Sequence, residues 1–276
     1  MNRQLSLLVF VTIAASLAIW PCQLKAARIT EARVTRVKNH VKLENSKNVG
    51  HAVLVNDIVH EATVVRTGNE SRAELTFSDE TVVRLAAHTA FDFDRGTGGL
   101  NLKDGAVLVE APKGARGATI HAGGVAAAVA GTTVMIEYHS GAYKFLVLEG
   151  TGRLYRPGHV GDSVLVAPGQ MVFGNAEAAV SDPVDVDIAR FMKTSGFITD
   201  FPPLRSEKSI VAQGQKQQRE KSNKTLRDTN LVIFGGGTQV SDTGQEQTDI
   251  QSRKSAALAT PRRVSSLNRN TGPALP

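Results

Sequence analysis

Cysteine is nearly absent from this chain of 276 residues, with Cys22 the single one. That count excludes a disulfide framework and a zinc ribbon. Long apolar runs are scarce too. Only Leu5 to Trp20 approaches the length of a bilayer span, which excludes a multi-span membrane protein. Aromatic residues reach only 5%, while glycine is high at 25 residues. Together with many Val and Thr residues, that balance points to short strands joined by tight turns. Hydrophobic residues make up 41% and charged residues 21%, so part of the chain can bury a core.

Signatures of chemistry are missing as well. The seven histidines, His40, His51, His60, His88, His121, His139 and His159, form neither an HxH pair nor an HExxH helix. There is no GxSxG elbow, and His139-Ser140-Gly141 merely adjoins a turn. Gly114-Ala115-Arg116-Gly117 and Gly235-Gly236-Gly237 lack the GxxxxGK[ST] pattern of a phosphate loop. Asp92 and Asp94 alternate with Phe91 and Phe93, which on a strand puts both carboxylates on one face and both rings on the other. A paired-carboxylate site is conceivable there, against the plainer reading of a solvated strand face. Neither a catalytic set, a cofactor site nor a metal site is expected.

What is present begins with an export signal. Arg3 supplies a positive start, Leu5 to Trp20 an apolar run, and Pro21 a helix break. Leu24-Lys25-Ala26 offers a cleavage point before Ala27. Trp20 and Pro21 stand where a lipobox around Cys22 needs small residues. Cleavage after Ala26 leaves a mature chain without cysteine, in keeping with an oxidising compartment. The expected location is periplasmic or secreted, with a retained membrane anchor as the alternative.

Charge is unevenly placed. The net +6 divides into +2 over residues 1–26, −1 over 27–183 and +5 over 184–276. The near-neutral middle shows no clustered basic face with stacking aromatics, so nucleic acid is not an expected partner. From about Thr30 to Ala179 apolar residues alternate with period two, as in Ala52-Val53-Leu54-Val55, Ala73-Glu74-Leu75-Thr76-Phe77 and Ala106-Val107-Leu108-Val109. Turn signals such as Thr67-Gly68-Asn69, Lys103-Asp104-Gly105 and Ala167-Pro168-Gly169 separate the runs. The pattern predicts an all-β domain, a mostly antiparallel two-sheet sandwich or rolled sheet of about a dozen short strands. A short helix over Asp185 to Lys193 and a Pro-rich linker follow, then a polar, basic tail expected to be disordered. The expected units are a signal peptide (1–26), the β domain (27–182), helix and linker (183–204) and tail (205–276).

The order of turn markers resembles the FecR domain. Val55-Asn56-Asp57 and Arg66-Thr67-Gly68 match its opening, with Asn56 in place of the usual glycine. Ser78-Asp79-Glu80-Thr81 matches its polar turn, with Glu80 for the common glycine, which implies a different turn type there. Lys103-Asp104-Gly105, Gly131-Thr132, Glu149-Gly150 and Gly169-Gln170 match the later markers, and the resemblance covers about residues 50–175. It implies that Asp57, Gly68, Gly105, Gly131, Thr132, Gly150, Gly169 and Gln170 determine the fold rather than perform chemistry. Family members of the best-known arrangement carry a cytoplasmic anti-sigma segment before one membrane span and relay signals from an outer-membrane transporter. Only about four residues precede the apolar run here, so the resemblance extends to the envelope module alone. The functional expectation is a non-enzymatic, cofactor-free module that binds an envelope protein or cell-wall polysaccharide. The basic tail adds salt-dependent contact with anionic surfaces. The alternatives are a membrane-anchored signalling regulator and a glycan-modifying enzyme using Asp92 and Asp94.

Overall fold

The computed structural model describes residues 31–45, 48–94, 98–115, 117–220 and 226. Seventeen strands among them, numbered in chain order, build two sheets that share one long strand. The first sheet runs β4 (Ile58–His60), β1 (Glu31–Lys38), β6 (Arg72–Phe77), β7 (Val82–Leu85), β9 (Gly99–Glu110), β12 (Thr133–His139), β13 (Ala142–Glu149), β16 (Gln170–Asn175) and β17 (Val184–Asp185). The second runs β3 (Asn48–Ala52), β2 (Val41–Asn45), β5 (Val64–Thr67), β8 (Ala90–Phe93), β9 again, β10 (Ala118–Ala122), β11 (Val125–Val129), β14 (Gly152–Tyr155) and β15 (Ser163–Val166). All these pairings are antiparallel except β9 with β10.

Strand β9 changes sheets halfway along its length. Residues 99–104 pair with β10 and β8, whereas residues 105–110 pair with β12 and β7. The corner falls at Gly105, whose φ of +99° few residues other than glycine adopt. Thr89 fills the inside of this corner, its hydroxyl donating to the Ala106 carbonyl and accepting the Ala106 N–H, each at 3.1 Å. One such strand ties both sheets into a single rolled sandwich.

Alternation decides what lies between the sheets. Phe91, Phe93, Leu75, Leu85, Ile120, Tyr143 and Phe145 all point into one core. Phe77 and Phe93 meet edge to face, 4.9 Å between ring centres, a favoured aromatic geometry.

The outer face of the first sheet is also apolar. Leu108, Met135, Leu146, Leu148 and Met171 lie there, beneath three helices. These are α1 (Ile188–Thr194), α2 (Gly196–Thr199) and α3 (Glu207–Glu220). Ile188, Phe191, Phe197, Leu204 and Ile210 complete this second core. Asp187 caps α1 by accepting the Arg190 N–H at 3.0 Å, and Ser195 begins α2 in the same way through Phe197.

Three expectations need correction. The all-β sandwich stands, but with seventeen strands rather than about a dozen. Of Ala52 to Val55 only Ala52 lies in a strand, as the end of β3. The Asp57 carboxylate accepts the Leu54 N–H at 2.8 Å and closes a turn there, leaving Leu54 exposed. Disorder from residue 205 is wrong at its start, because residues 207–220 are helical and Ile210 and Gln217 are buried. The short helix predicted over Asp185 to Lys193 exists as α1, and the Pro-rich stretch after it is docked on the sheet rather than spanning solvent. The export signal, and all of the tail after residue 220 except Leu226, lie outside the described residues.

Candidate functional site

The marker residues do not gather at one place. Asp57 closes the β3–β4 turn, and Gly68 donates its N–H to the His40 carbonyl at 2.9 Å. Gly105 turns the corner of β9. Gly169 lies in the turn between β15 and β16, and Gln170 opens β16, its side chain accepting the Ala167 N–H at 3.0 Å. Gly131, Thr132 and Gly150 do come together: a β-carbon on Gly150 would stand 2.6 Å from Thr132 Cγ2 and 2.8 Å from the Gly131 carbonyl. Glu80 lies at the same end of the sandwich, and its φ of +68° is the left-handed conformation itself. The Glu80 N–H donates to the Phe77 carbonyl at 3.0 Å and the Phe77 N–H to the Thr81 carbonyl at 2.9 Å, so a non-glycine residue takes the left-handed position of this tight turn.

At that end lies a cleft of about 390 Å³. Its charged lining is Glu80, Glu110, Lys113, Glu149, Arg205 and Lys208. Lys113 pairs with Glu149 at 3.5 Å, and Arg205 bridges to Glu80. Buried Glu110 accepts the Ser206 N–H at 2.7 Å and its hydroxyl, and the Thr133 hydroxyl donates to Ser206 at 2.8 Å. Ser206 immediately precedes α3, and its carbonyl accepts the Ile210 N–H. The carboxylate therefore satisfies and electrostatically favours a helix N-terminus. In chemical terms the cleft holds two ion pairs, Lys113 with Glu149 and Arg205 with Glu80, beside a buried carboxylate that fastens the start of α3.

A second polar cluster, on the outer face of β6 and β7, has no counterpart in the sequence reading. Arg84 is 2% exposed and donates to Glu74 at 2.8 Å, to the Phe197 carbonyl at 2.7 Å and to the Pro202 carbonyl at 2.6 Å. Its guanidinium also stacks 4.8 Å from the centre of the Phe201 ring. Burial pulls this guanidinium below its ordinary value, while Glu74 opposes that shift. The Thr35 hydroxyl donates to Glu74 at 2.9 Å, so the carboxylate is held on two sides. A charge between Val83 and Leu85 reads in sequence as an outward, solvated residue. Only the helical layer, far along the chain, makes it buried.

Asp92 and Asp94 behave differently from each other. Asp92 is nearly buried and accepts from Asn101 and Lys103, each at 2.7 Å, whereas Asp94 is exposed. Asp92 is thus committed to a cross-strand pair. His139 lies 3.0 Å from Asp104 and 3.7 Å from Glu137. Among the described residues no group of three or more His, Cys, Asp or Glu side chains is placed to hold a metal ion. No helix among them is long and apolar enough to cross a membrane.

Comparison with known proteins places part of this architecture. Among curated proteins the chain finds no match. Two crystal structures of an anti-sigma factor candidate from Parabacteroides distasonis are similar to it, at 13% and 12% identity and TM-scores of 0.44 and 0.42. Each comparison covers 74% of this chain and 95% of the other. A family model described as FecR protein matches residues 63–151, from the start of β5 to the turn before β14. Gly68, Gly105, Gly131, Thr132 and Gly150 fall inside that stretch; Asp57, Gly169 and Gln170 fall outside it. Residues 63–151, less than half of the chain, are therefore the part of this protein that is similar to the FecR domain.

Proposed function

We propose that this protein is an exported, non-enzymatic FecR-type module of the cell envelope that binds a protein or cell-wall glycan. The observation that carries the reading is the FecR match over residues 63–151, in a chain that opens with a charged start, an apolar run and a small-residue cleavage pattern. The commitment of Asp92 to Asn101 and Lys103 weighs against a glycan-modifying site built on Asp92 and Asp94. Eleven Lys and Arg residues between 208 and 269 supply a salt-dependent attraction to anionic wall polymers.

Affinity capture from envelope extract with the chain starting at Ala27 tests the reading. A specific protein or polysaccharide retained at moderate salt supports it, and recovery of nothing beyond charge-driven, salt-sensitive material rejects it. The FecR match also favours a second reading, a membrane-anchored signalling regulator that keeps the Leu5 to Trp20 run. The N-terminal mass of protein from its native envelope separates the two, since a start at Ala27 excludes the anchor.

A further inference from the structure

Helix α3 is held very differently from α1. In α1 the apolar Ile188 and Phe191 are buried against the sheet, next to Val186. In α3 only Ile210, Gly214 and Gln217 are buried, and Ile210 is the one large apolar side chain among them. Val211 is exposed at 41%. A helix of 14 residues is marginal in water on its own, so α3 depends on its attachments. At its head the attachments are Glu110 with Ser206 and Glu80 with Arg205. At its foot the attachments are Gln217 and the more exposed Gln218, whose Nε2 donates to Asp187 at 3.3 Å.

Gln217 is only 4% exposed, and its carboxamide is read by main chain alone. Nε2 donates to the Val186 carbonyl at 2.7 Å and to the Gly169 carbonyl at 3.3 Å. Oε1 accepts the Ile188 N–H at 3.3 Å. Two acceptors and one donor converge on one point, which matches a primary amide and not a carboxylate. Gly169 is open for this reason: a β-carbon there would stand 2.5 Å from Gln217 Nε2. Gly214, one turn earlier, faces Ile188, where a β-carbon would stand at an ordinary contact distance of 3.5 Å. The late Gly169-Gln170 marker, which lies outside the FecR match, is thus one wall of a socket.

We propose that α3 is a releasable latch, and that the Gly169, Val186 and Ile188 main chain forms a carboxamide-reading socket that Gln217 fills in cis. Released, α3 loses its helix and frees the socket and the side of α1 beside it. The vacant socket then takes the same helix of a second copy of this chain, whose Gln217 meets the same three main-chain groups. The sequence continues from the latch directly into Lys221, Lys224 and Arg227, so a partner that holds these residues pulls on the turn that carries Gln217.

Hydrogen exchange on the full mature chain tests the latch without any substitution. The α3 amides should exchange through an opening of their own, well ahead of those of β12 and β13. Gln217→Glu should raise that opening about 100-fold, since a carboxylate in place of the amide loses two donors and faces two carbonyls. The β12 and β13 amides should keep their protection. A peptide covering residues 204–222 should then bind the Gln217→Glu protein, and the same peptide carrying glutamate should not. Exchange of α3 only together with β13 in the unsubstituted protein overturns the latch. Global unfolding of Gln217→Glu overturns it too, because α3 would then be an inseparable part of the core. Equal binding of both peptides overturns the socket.

Discussion

At Gly105 a β-carbon would stand 2.4 Å from Thr89 Oγ1, 2.5 Å from Thr89 Cα and 2.8 Å from the His88 carbonyl. Two of these neighbours are main chain, so neither rotamer change nor a small shift relieves the overlap. Gly105→Ala should therefore cost about 3 kcal/mol or more, read as a fall in the urea midpoint at constant slope. Gly131 presents a different constraint. The nearest atoms to a β-carbon there are Lys113 Cγ at 3.3 Å and Cα at 3.4 Å, which is tight but tolerable. Its cost comes from a φ of +61°, where a β-branched residue is strained. Gly131→Val should lose roughly 2 kcal/mol, and Gly131→Asn distinctly less, because asparagine tolerates that conformation. Equal losses for the two would show that crowding, not backbone conformation, is the limit at this position.

Tyr143 sets a pH dependence at the same scale. Burial, reinforced by the Asp162 carboxylate, pushes its phenol up to about 12 from an ordinary value of 10.0. The folded protein keeps this proton at a pH where an unfolded phenol has released it. The associated stability is complete below pH 10 and is lost as pH rises towards 12, about 3 kcal/mol in all. Other groups titrate in the same window, so the informative quantity is the difference between parent and Tyr143→Phe. That difference should shift by this amount across pH 10 to 12; a flat difference would mean the phenol is no more buried than an ordinary surface tyrosine.

Among the elements, the strands are legible in sequence, and the layer that covers one face of them is not. In β10, Ala118, Ile120 and Ala122 face the core while Thr119 and His121 face outward, and period two marks the strand plainly. In β13, Phe145-Leu146-Val147-Leu148 is one continuous apolar run. Phe145 and Val147 face the other sheet, while Leu146 and Leu148 face the helices. Such a run signals a strand buried on both faces, and so a covering layer elsewhere in the chain. The covering layer itself is disguised. Polar side chains dominate α3, whose attachment rests on Glu110, Gln217 and the paired charges near them, and composition reads it as unable to fold. No local pattern announces the cleft either, because its residues come from turns and termini brought together only by the sandwich.

Arg84 is the clasp between that layer and the sheet, and this gives a prediction for the element. Arg84→Ala frees the Phe197 and Pro202 carbonyls and leaves Glu74 buried without its partner. Removing one member of a buried ion pair costs about 3–5 kcal/mol. The double replacement Arg84→Met with Glu74→Leu removes the stranded charge and should recover a large part of that loss. Limited proteolysis should still cut residues 197–203 faster in both variants than in the parent, because the carbonyl anchors are gone in each. If the double variant is as protease-resistant as the parent, the apolar contacts of Phe197 and Leu204 hold the layer without Arg84.

For the whole molecule, the packed elements run from Glu31 to Glu220, with α3 as their detachable end, well beyond the family match and beyond the β sandwich alone. A chain cut after residue 182 would bare Leu108, Met135, Leu146, Leu148 and Met171 on one sheet face. Burying a side chain of this kind contributes about 1.5–3 kcal/mol, so the loss over five of them rivals the 5–15 kcal/mol by which a domain is stable. The bared face is also a contiguous apolar patch of the kind that drives association. Residues 27–182 should therefore aggregate or melt far below the parent. Residues 27–220 should melt within a few degrees of the chain starting at Ala27, since the charges that follow residue 220 are expected to contribute little to folding. The two truncations should differ in the opposite sense on anionic envelope fractions. Removing residues 221–276 should weaken retention at low salt and make little difference near 1 M salt, where charges are screened beyond about 3 Å. A soluble, monomeric 27–182 fragment with the parent's melting temperature would show that the helical layer is an accessory to the sandwich and not part of its core.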